Sequence, residues 1–155
     1  MSDLSDNKSA TRNHISPATP LRVLIADDSI TMRHYLVDLL QEMPGFEIVG
    51  QAADGEEAVR LTDSLRPDVV SMDIRMPVMD GMEATRQIMA VQPTPVVIVS
   101  GLVERDVQLS FEAIQAGALA VVEKPPHRDH PQFMQKHRQL VRTLAAMARV
   151  SVVRR

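Results

Sequence analysis

A chain of 155 residues fits one domain, burying roughly 70% of the surface its unfolded form exposes. With 45% apolar, 24% charged and only 3% aromatic residues, its core has to be Val, Ile, Leu, Met and Ala, and the formal net charge is -3. The absence of cysteine excludes disulfides, thiolate metal sites and cysteine nucleophiles, and no 18-residue apolar run or charged-then-apolar leader occurs, so neither a membrane span nor a signal peptide is expected and a cytoplasmic location is.

Residues 1–20 are polar, lack apolar periodicity and end in Ser16-Pro17-Ala18-Thr19-Pro20, which predicts a leader outside the fold. From Leu21 onward, short β-rich runs alternate with segments of helical spacing. The runs fall at about 21–26, 46–52, 68–72, 95–100 and 118–122. They are continuous apolar stretches, as expected of strands buried on both faces.

Between the runs, Ile30, Met32, Leu36, Leu39, Leu40 and Met43 form one helical stripe, closed by Pro44-Gly45. Ala58, Val59, Leu61, Thr62 and Leu65 form a second, and Met82, Thr85, Ile88 and Met89 a third. Val107, Phe111 and Ile114 mark a helix near 104–116, opened by Arg105 and Asp106 and stopped by Gly117. Leu140, Val141, Leu144 and Met147 mark the last.

Five strand–helix units with right-handed crossovers give a (βα)5 doubly wound parallel α/β sheet, flavodoxin-like, with order 2-1-3-4-5. The expected layout is a leader at 1–20, one domain at 21–147 and the start of a linker at 148–155. The last 29 residues hold 7 basic and 1 acidic side chain against 10 and 19 in the rest. With no aromatic residue interleaved after Phe133, a solvated helix face is expected there rather than a nucleic-acid surface.

The strand ends carry the chemistry. LRVLIA runs into Asp27 and Asp28, DVVSM into Asp73, VVIV into Ser100-Gly101, and LAVVE into Lys124-Pro125. Ligands of an open parallel sheet bind at the carboxyl ends of its strands, beside the switch point. Three carboxylates, one hydroxyl and one ammonium are therefore expected in one pocket. Like-charged carboxylates at about 4 Å repel by roughly 4 kcal/mol each at an effective dielectric near 20, so the cluster needs a proton, a lysine or a cation. All-oxygen ligands in a small open site suit Mg²⁺. A carboxylate beside Mg²⁺, a lysine and a hydroxyl can accept a phosphoryl group. Taken singly, each residue has an ordinary reading; Asp28, for instance, reads as a cap for a helix starting near Ser29.

The runs IADDS, MDIRMPVMDG, SG and EKPP together resemble a bacterial two-component response-regulator receiver domain, over about residues 21–147. The resemblance implies that Asp73 takes phosphate from a histidine kinase, that Asp27 and Asp28 hold Mg²⁺, and that the backbone carbonyl of Arg75 is a further metal ligand. It also implies Ser100 as a hydroxyl switch, Lys124 paired with the phosphoryl group, Gly101 beside it, a cis peptide before Pro125, and Gly81 opening a helix. One position departs from the pattern. Three residues before the lysine, where the family commonly has an aromatic residue, stands Val121, which leaves the usual coupling of hydroxyl and aromatic movements without its second partner.

The stretches MPVMDGMEATRQIM, TPVVIVSG and GALAVVEKPP further resemble the regulatory half of chemotaxis protein-glutamate methylesterases, in which a linker joins a receiver to a hydrolase output domain. No G-x-S-x-G turn occurs in this chain, so ester hydrolysis by it is not expected, and an output domain would lie in the parent protein. The alternatives are a stand-alone receiver and the receiver of a DNA-binding regulator. A phosphatase is disfavoured by Arg75, two residues past Asp73, where such enzymes often place a second acid. A dinucleotide-binding domain is disfavoured by Ala26-Asp27-Asp28-Ser29-Ile30, where a glycine-rich turn would be needed. His127 and His130 read as a solvated loop. Arg75 and Leu102 are expected near the site.

Overall fold

The structure, a computed structural model, describes residues 19–101 and 107–153. Leu102, Arg105, Asp106, His14 and nearly all of the leader lie outside the described residues. In chain order the elements are β1 (Leu21–Ala26), α1 (Ile30–Gln41), β2 (Phe46–Ala52), α2 (Gly55–Leu65), β3 (Val69–Met72), α3 (Gly81–Val91), β4 (Val96–Ser100), α4 (Val107–Ala116), β5 (Ala120–Glu123) and α5 (Phe133–Met147). All strand pairs are parallel and their order is β2-β1-β3-β4-β5, as the alternation of runs and stripes predicts.

Side chains alternate across the pleat, and the two sets feed two core layers. Val23 and Ile25 of β1 join Val97 and Val99 beneath Leu36 and Leu40 of α1 and Leu140 and Leu144 of α5. Leu24 and Ala26 join Met72 and Ile98 beneath Ala58 of α2, Ala84 and Ile88 of α3, and Ala113 and Ala116 of α4. Both faces of β1, β3 and β4 are therefore dry, which is why their sequences read as unbroken apolar runs. Each large aliphatic side chain so buried contributes about 1.5–3 kcal/mol.

Local signals set the element boundaries. Ser29, Asp54 and Asp80 cap α1, α2 and α3, their side-chain oxygens accepting from the backbone N–H of Met32, Glu57 and Glu83. The cap of α1 is thus Ser29 and not Asp28, whose carboxylate is left for other work. Gly117 ends α4 at φ +117, a conformation that glycine adopts without a Cβ clash. The Ala118 N–H then donates to the Ala113 carbonyl at 3.0 Å, and β5 starts at Ala120, two residues later than the apolar run suggests.

The phase of α4 differs from expectation. Its apolar stripe, Val107, Phe111 and Ile114, is exposed at 82, 56 and 46%, and the inward face is the less apolar Ala113 and Ala116. Ile30 of the first stripe is likewise 60% exposed.

Candidate functional site

At the sheet's carboxyl edge, adjacent strands β1 and β3 hand over directly to acidic residues. The Asp73 N–H donates to the Ala26 carbonyl at 2.9 Å, so the residue after β3 is locked against the end of β1. Asp27 is 1% exposed and Asp73 8%, whereas Asp28 is exposed. One carboxylate oxygen from each of the three lies within 4.8 Å of the others. From the far side of β3, the Lys124 N–H donates to the Ser100 carbonyl at 2.9 Å, which brings the lysine that follows β5 to the same edge.

The Lys124 ammonium sits between two carboxylates, 3.0 Å from Asp27 Oδ2 and 3.2 Å from Asp73 Oδ2. The other oxygens are held by backbone: Ser29 N–H donates to Asp27 Oδ1 at 2.9 Å and Ile74 N–H to Asp73 Oδ1 at 2.8 Å. Behind Asp27, Arg33 Nη1 donates to its carbonyl at 2.7 Å and Nε to Gln51 Oε1 at 3.2 Å. Gly81 closes the site from below. Its N–H donates to the Ile74 carbonyl at 2.7 Å, and a Cβ there would stand 1.9 Å from the Asp73 carbonyl oxygen.

Electrostatics follow from this packing. Burial raises the Asp73 pKa, the Lys124 charge opposes that rise, the Asp27 charge adds to it, and the result is above the ordinary 3.8. For Lys124, burial works downward, but the close contact with Asp27 and the charge of Asp73 outweigh it, so the amine is held above the ordinary 10.5. One ammonium therefore does not neutralise the cluster, and Asp73 feels the deficit.

Beside the carboxylates opens a cleft of about 280 Å³ whose lining includes Asp28, Asp73, Arg75, Ser100, Gly101 and Lys124. Asp27 Oδ2 is buried and faces the Lys124 ammonium, which it shares with Asp73 Oδ2. Three carboxylates whose oxygens lie within 4.8 Å of one another, all hard donors and matched by a single ammonium, fit a divalent cation.

The structure thus brings Asp27, Asp28, Asp73, Ser100 and Lys124 to one edge, with Arg75 and Gly101 adjoining. One expectation is corrected. No cis peptide is present among the described residues, so the bond before Pro125 is trans. Proline lowers the cost of the cis form but leaves trans favoured by about 0.5–1 kcal/mol, and in the trans form Tyr35 Oη donates to the Pro126 carbonyl at 2.6 Å. His127 and His130 are exposed and belong to no ligand cluster among the described residues. Two wall residues escaped the sequence reading, Ile74 and Leu109. The second was visible only in the helical phase that links it to Ala113 and Ala116, a weaker signal than the stripe of Val107, Phe111 and Ile114.

A five-stranded parallel sheet of this order, with buried acids and a lysine at its switch point, is the architecture of a receiver domain, and residues 23–138 match the response regulator receiver domain family. The chain belongs to that family. It is 56% identical over 136 residues to protein-glutamate methylesterase/protein-glutamine glutaminase 4 of Myxococcus xanthus (strain DK1622), covering 88% of this chain and 38% of that protein. It thus spans about two fifths of the length of that relative. Among solved structures it is similar to the response regulator domain of Thermotoga maritima CheB, at 38% identity and TM-score 0.77, covering 85% of this chain and 98% of that one. It is also similar to a chain of the complex between the P1 domain of CheA3 and CheY6 from R. sphaeroides, at 32% identity and TM-score 0.68, with 83 and 98% covered. The fold and these likenesses make this chain the receiver domain of a CheB-type chemotaxis response regulator, and no helix among the described residues is long and apolar enough to cross a membrane.

Proposed function

We propose that Asp73 is the phosphoacceptor of this receiver, and that Asp27, Asp28, Asp73 and the Arg75 backbone carbonyl hold Mg²⁺ while it works. The observation that carries this reading is the placement of Asp73, buried at a strand end yet open to a cleft, with the Lys124 ammonium 3.2 Å away. When bound, the ion neutralises part of the charge that develops on the phosphoryl oxygens.

The chain's own residues divide the remaining tasks. A carboxylate oxygen of Asp73 attacks phosphorus; the new O–P bond forms as the N–P bond of a phosphohistidine donor breaks, and the departing imidazole nitrogen keeps the electron pair. Lys124, whose charge is secured by its two carboxylate neighbours, turns from Asp73 toward a phosphoryl oxygen. Ser100 supplies a hydroxyl to the same cleft, and among the described residues nothing lies within 4 Å of where a Cβ on Gly101 would be.

The donor is a histidine kinase of the chemotaxis type, a reading supported by the likeness to CheY6, solved with the P1 domain of CheA3. The receiver unit spans 21–147 and 148–155 begins a linker to a hydrolase output domain in the parent protein, supported by the methylesterase relative, of which this chain covers 38%. The test is intact mass after incubation with Mg²⁺ and a small phosphodonor such as acetyl phosphate. One phosphoryl group is expected on the wild type and none in Asp73→Asn or with chelator; undiminished uptake by Asp73→Asn would falsify the assignment.

A further inference from the structure

α4 presents two unlike faces, and only one of them reaches the cleft. Val107, Phe111 and Ile114 look outward, while Ala113 and Ala116 are buried. Leu109 lies one turn before Ala113 on the inward side and packs, half-buried, against the core layer that contains Met72 and Ile98. The same side chain lines the cleft beside Asp73, together with Ser100 and Lys124. Every other described residue of that wall belongs to a strand end or the loop that follows one. Leu109 alone is contributed by the flank of a helix.

We propose that Leu109 is the coupling residue of this receiver, the side chain through which a phosphoryl group on Asp73 is felt by α4. The proposal rests on the phosphoacceptor reading above. A phosphoryl group brings nearly two negative charges and several strong acceptor oxygens. An isobutyl group left against it would cover those oxygens without offering a hydrogen bond, and uncompensated desolvation of charge is costly. Leu109 therefore has to withdraw from the cleft when the group arrives. It cannot withdraw alone, because its other side is packed into the core layer under α4, and packed interiors shift between discrete arrangements rather than yielding continuously. Withdrawal of Leu109 carries α4 with it.

Val121 explains why this task falls to Leu109. It lies in β5 opposite Ile98 and packs, partly buried, against the same core layer. Its short branched side chain lacks the reach of an aromatic ring, so no large side chain on β5 stands ready to follow the Ser100 hydroxyl. Leu109 spans the distance from the other direction, touching the cleft at one end and the helix packing at the other.

Amide NMR on the isotope-labelled chain with Mg²⁺, with and without beryllium fluoride as a phosphoryl mimic, separates the site from its readout. In the wild type, shifts are expected at Asp73 and Ser100 and along Val107–Ala116. Leu109→Ala and the gentler Leu109→Val are expected to keep the shifts at Asp73 and Ser100 at saturating mimic and lose those on α4. Leu109→Met, which keeps the reach, is expected to restore them. Full α4 shifts in Leu109→Ala or Leu109→Val overturn the proposal, as does a wild type whose response stops at Ser100. A wild type with no response at Asp73 overturns the phosphoacceptor reading itself, and this inference with it.

Discussion

The Lys136 ammonium lies 2.5 Å from the Glu123 carboxylate, tying α5 to the last residue of β5. Lys136 is only 8% exposed, and Glu123 immediately precedes Lys124, whose ammonium reaches Asp27 and Asp73. The pair thus anchors the strand end that presents the cleft's ammonium. Removing one partner of a buried pair typically destabilises by about 3–5 kcal/mol, because the other charge stays buried and uncompensated, whereas replacing both by apolar groups can be neutral. Because Glu123 keeps 27% of its side chain exposed, Glu123→Gln is expected to lose about 1–2 kcal/mol in urea unfolding, and the double variant Glu123→Leu/Lys136→Met to recover part of it. Equal losses in both would show that the ion pair is not what anchors α5.

Asp73→Asn is expected to stabilise the metal-free protein at neutral pH. The folded pKa of Asp73 lies above its ordinary 3.8, chiefly through burial, so the folded state binds its proton more tightly than the unfolded state does. The stabilisation from that proton is complete below 3.8 and lost as pH rises through the folded value. At pH 7 the ionised carboxylate is therefore a burden, which asparagine lifts while Lys124 keeps Asp27 as partner. Thermal midpoints in the presence of chelator should be higher for the variant at pH 7, with the gap closing toward acid pH and on addition of Mg²⁺ to the wild type.

Lys124→Met leaves Asp27 and Asp73 facing each other without a counter-charge. A loss of about 3–5 kcal/mol is expected in metal-free buffer, and Mg²⁺ should return part of it. The raised Lys124 pKa sets the alkaline limb: its contribution is present in full below the ordinary 10.5 and disappears as pH climbs through the higher folded value. Urea titrations of both proteins, with and without Mg²⁺, check both statements. Indifference of the variant to Mg²⁺ would argue that no ion is held there.

Two backbone positions, one in the loop after β3 and one at the start of α3, offer opposite outcomes. Gly81→Ala drives a methyl group into the Asp73 carbonyl, and a loss of at least about 1–3 kcal/mol is expected, as for overpacking, together with slower phosphoryl uptake. Val78 holds φ +70 with its side chain 76% exposed, a left-handed conformation that a β-branched residue adopts at a cost of about 1–2 kcal/mol. Val78→Asn is expected to raise stability by roughly 0.5–1 kcal/mol, since asparagine tolerates that region. Denaturant midpoints of the two variants should move apart on either side of the wild type.

The sheet was legible because β1, β3 and β4 are dry on both faces, so that burial alone dictates unbroken apolar runs, and the acids stand out where those runs stop. The same contrast exposed Lys124. The facing of α4 was not legible. Val107, Phe111 and Ile114 outweigh Ala113 and Ala116 in apolar character, and only tertiary packing shows that the smaller face is the inward one. Leu109 was hidden by that inversion. Pro125 misled for a different reason: proline lowers the cost of a cis bond without requiring one, and the bond before it is trans.

The β1–β3 handover has a consequence for the cell. Asp27, Asp73 and Lys124 come from three remote stretches of polypeptide, and no one of them is assembled until the strands have docked. A nascent or damaged chain would hold the right amino acids without the cleft they build, so the site exists only in molecules that have finished folding.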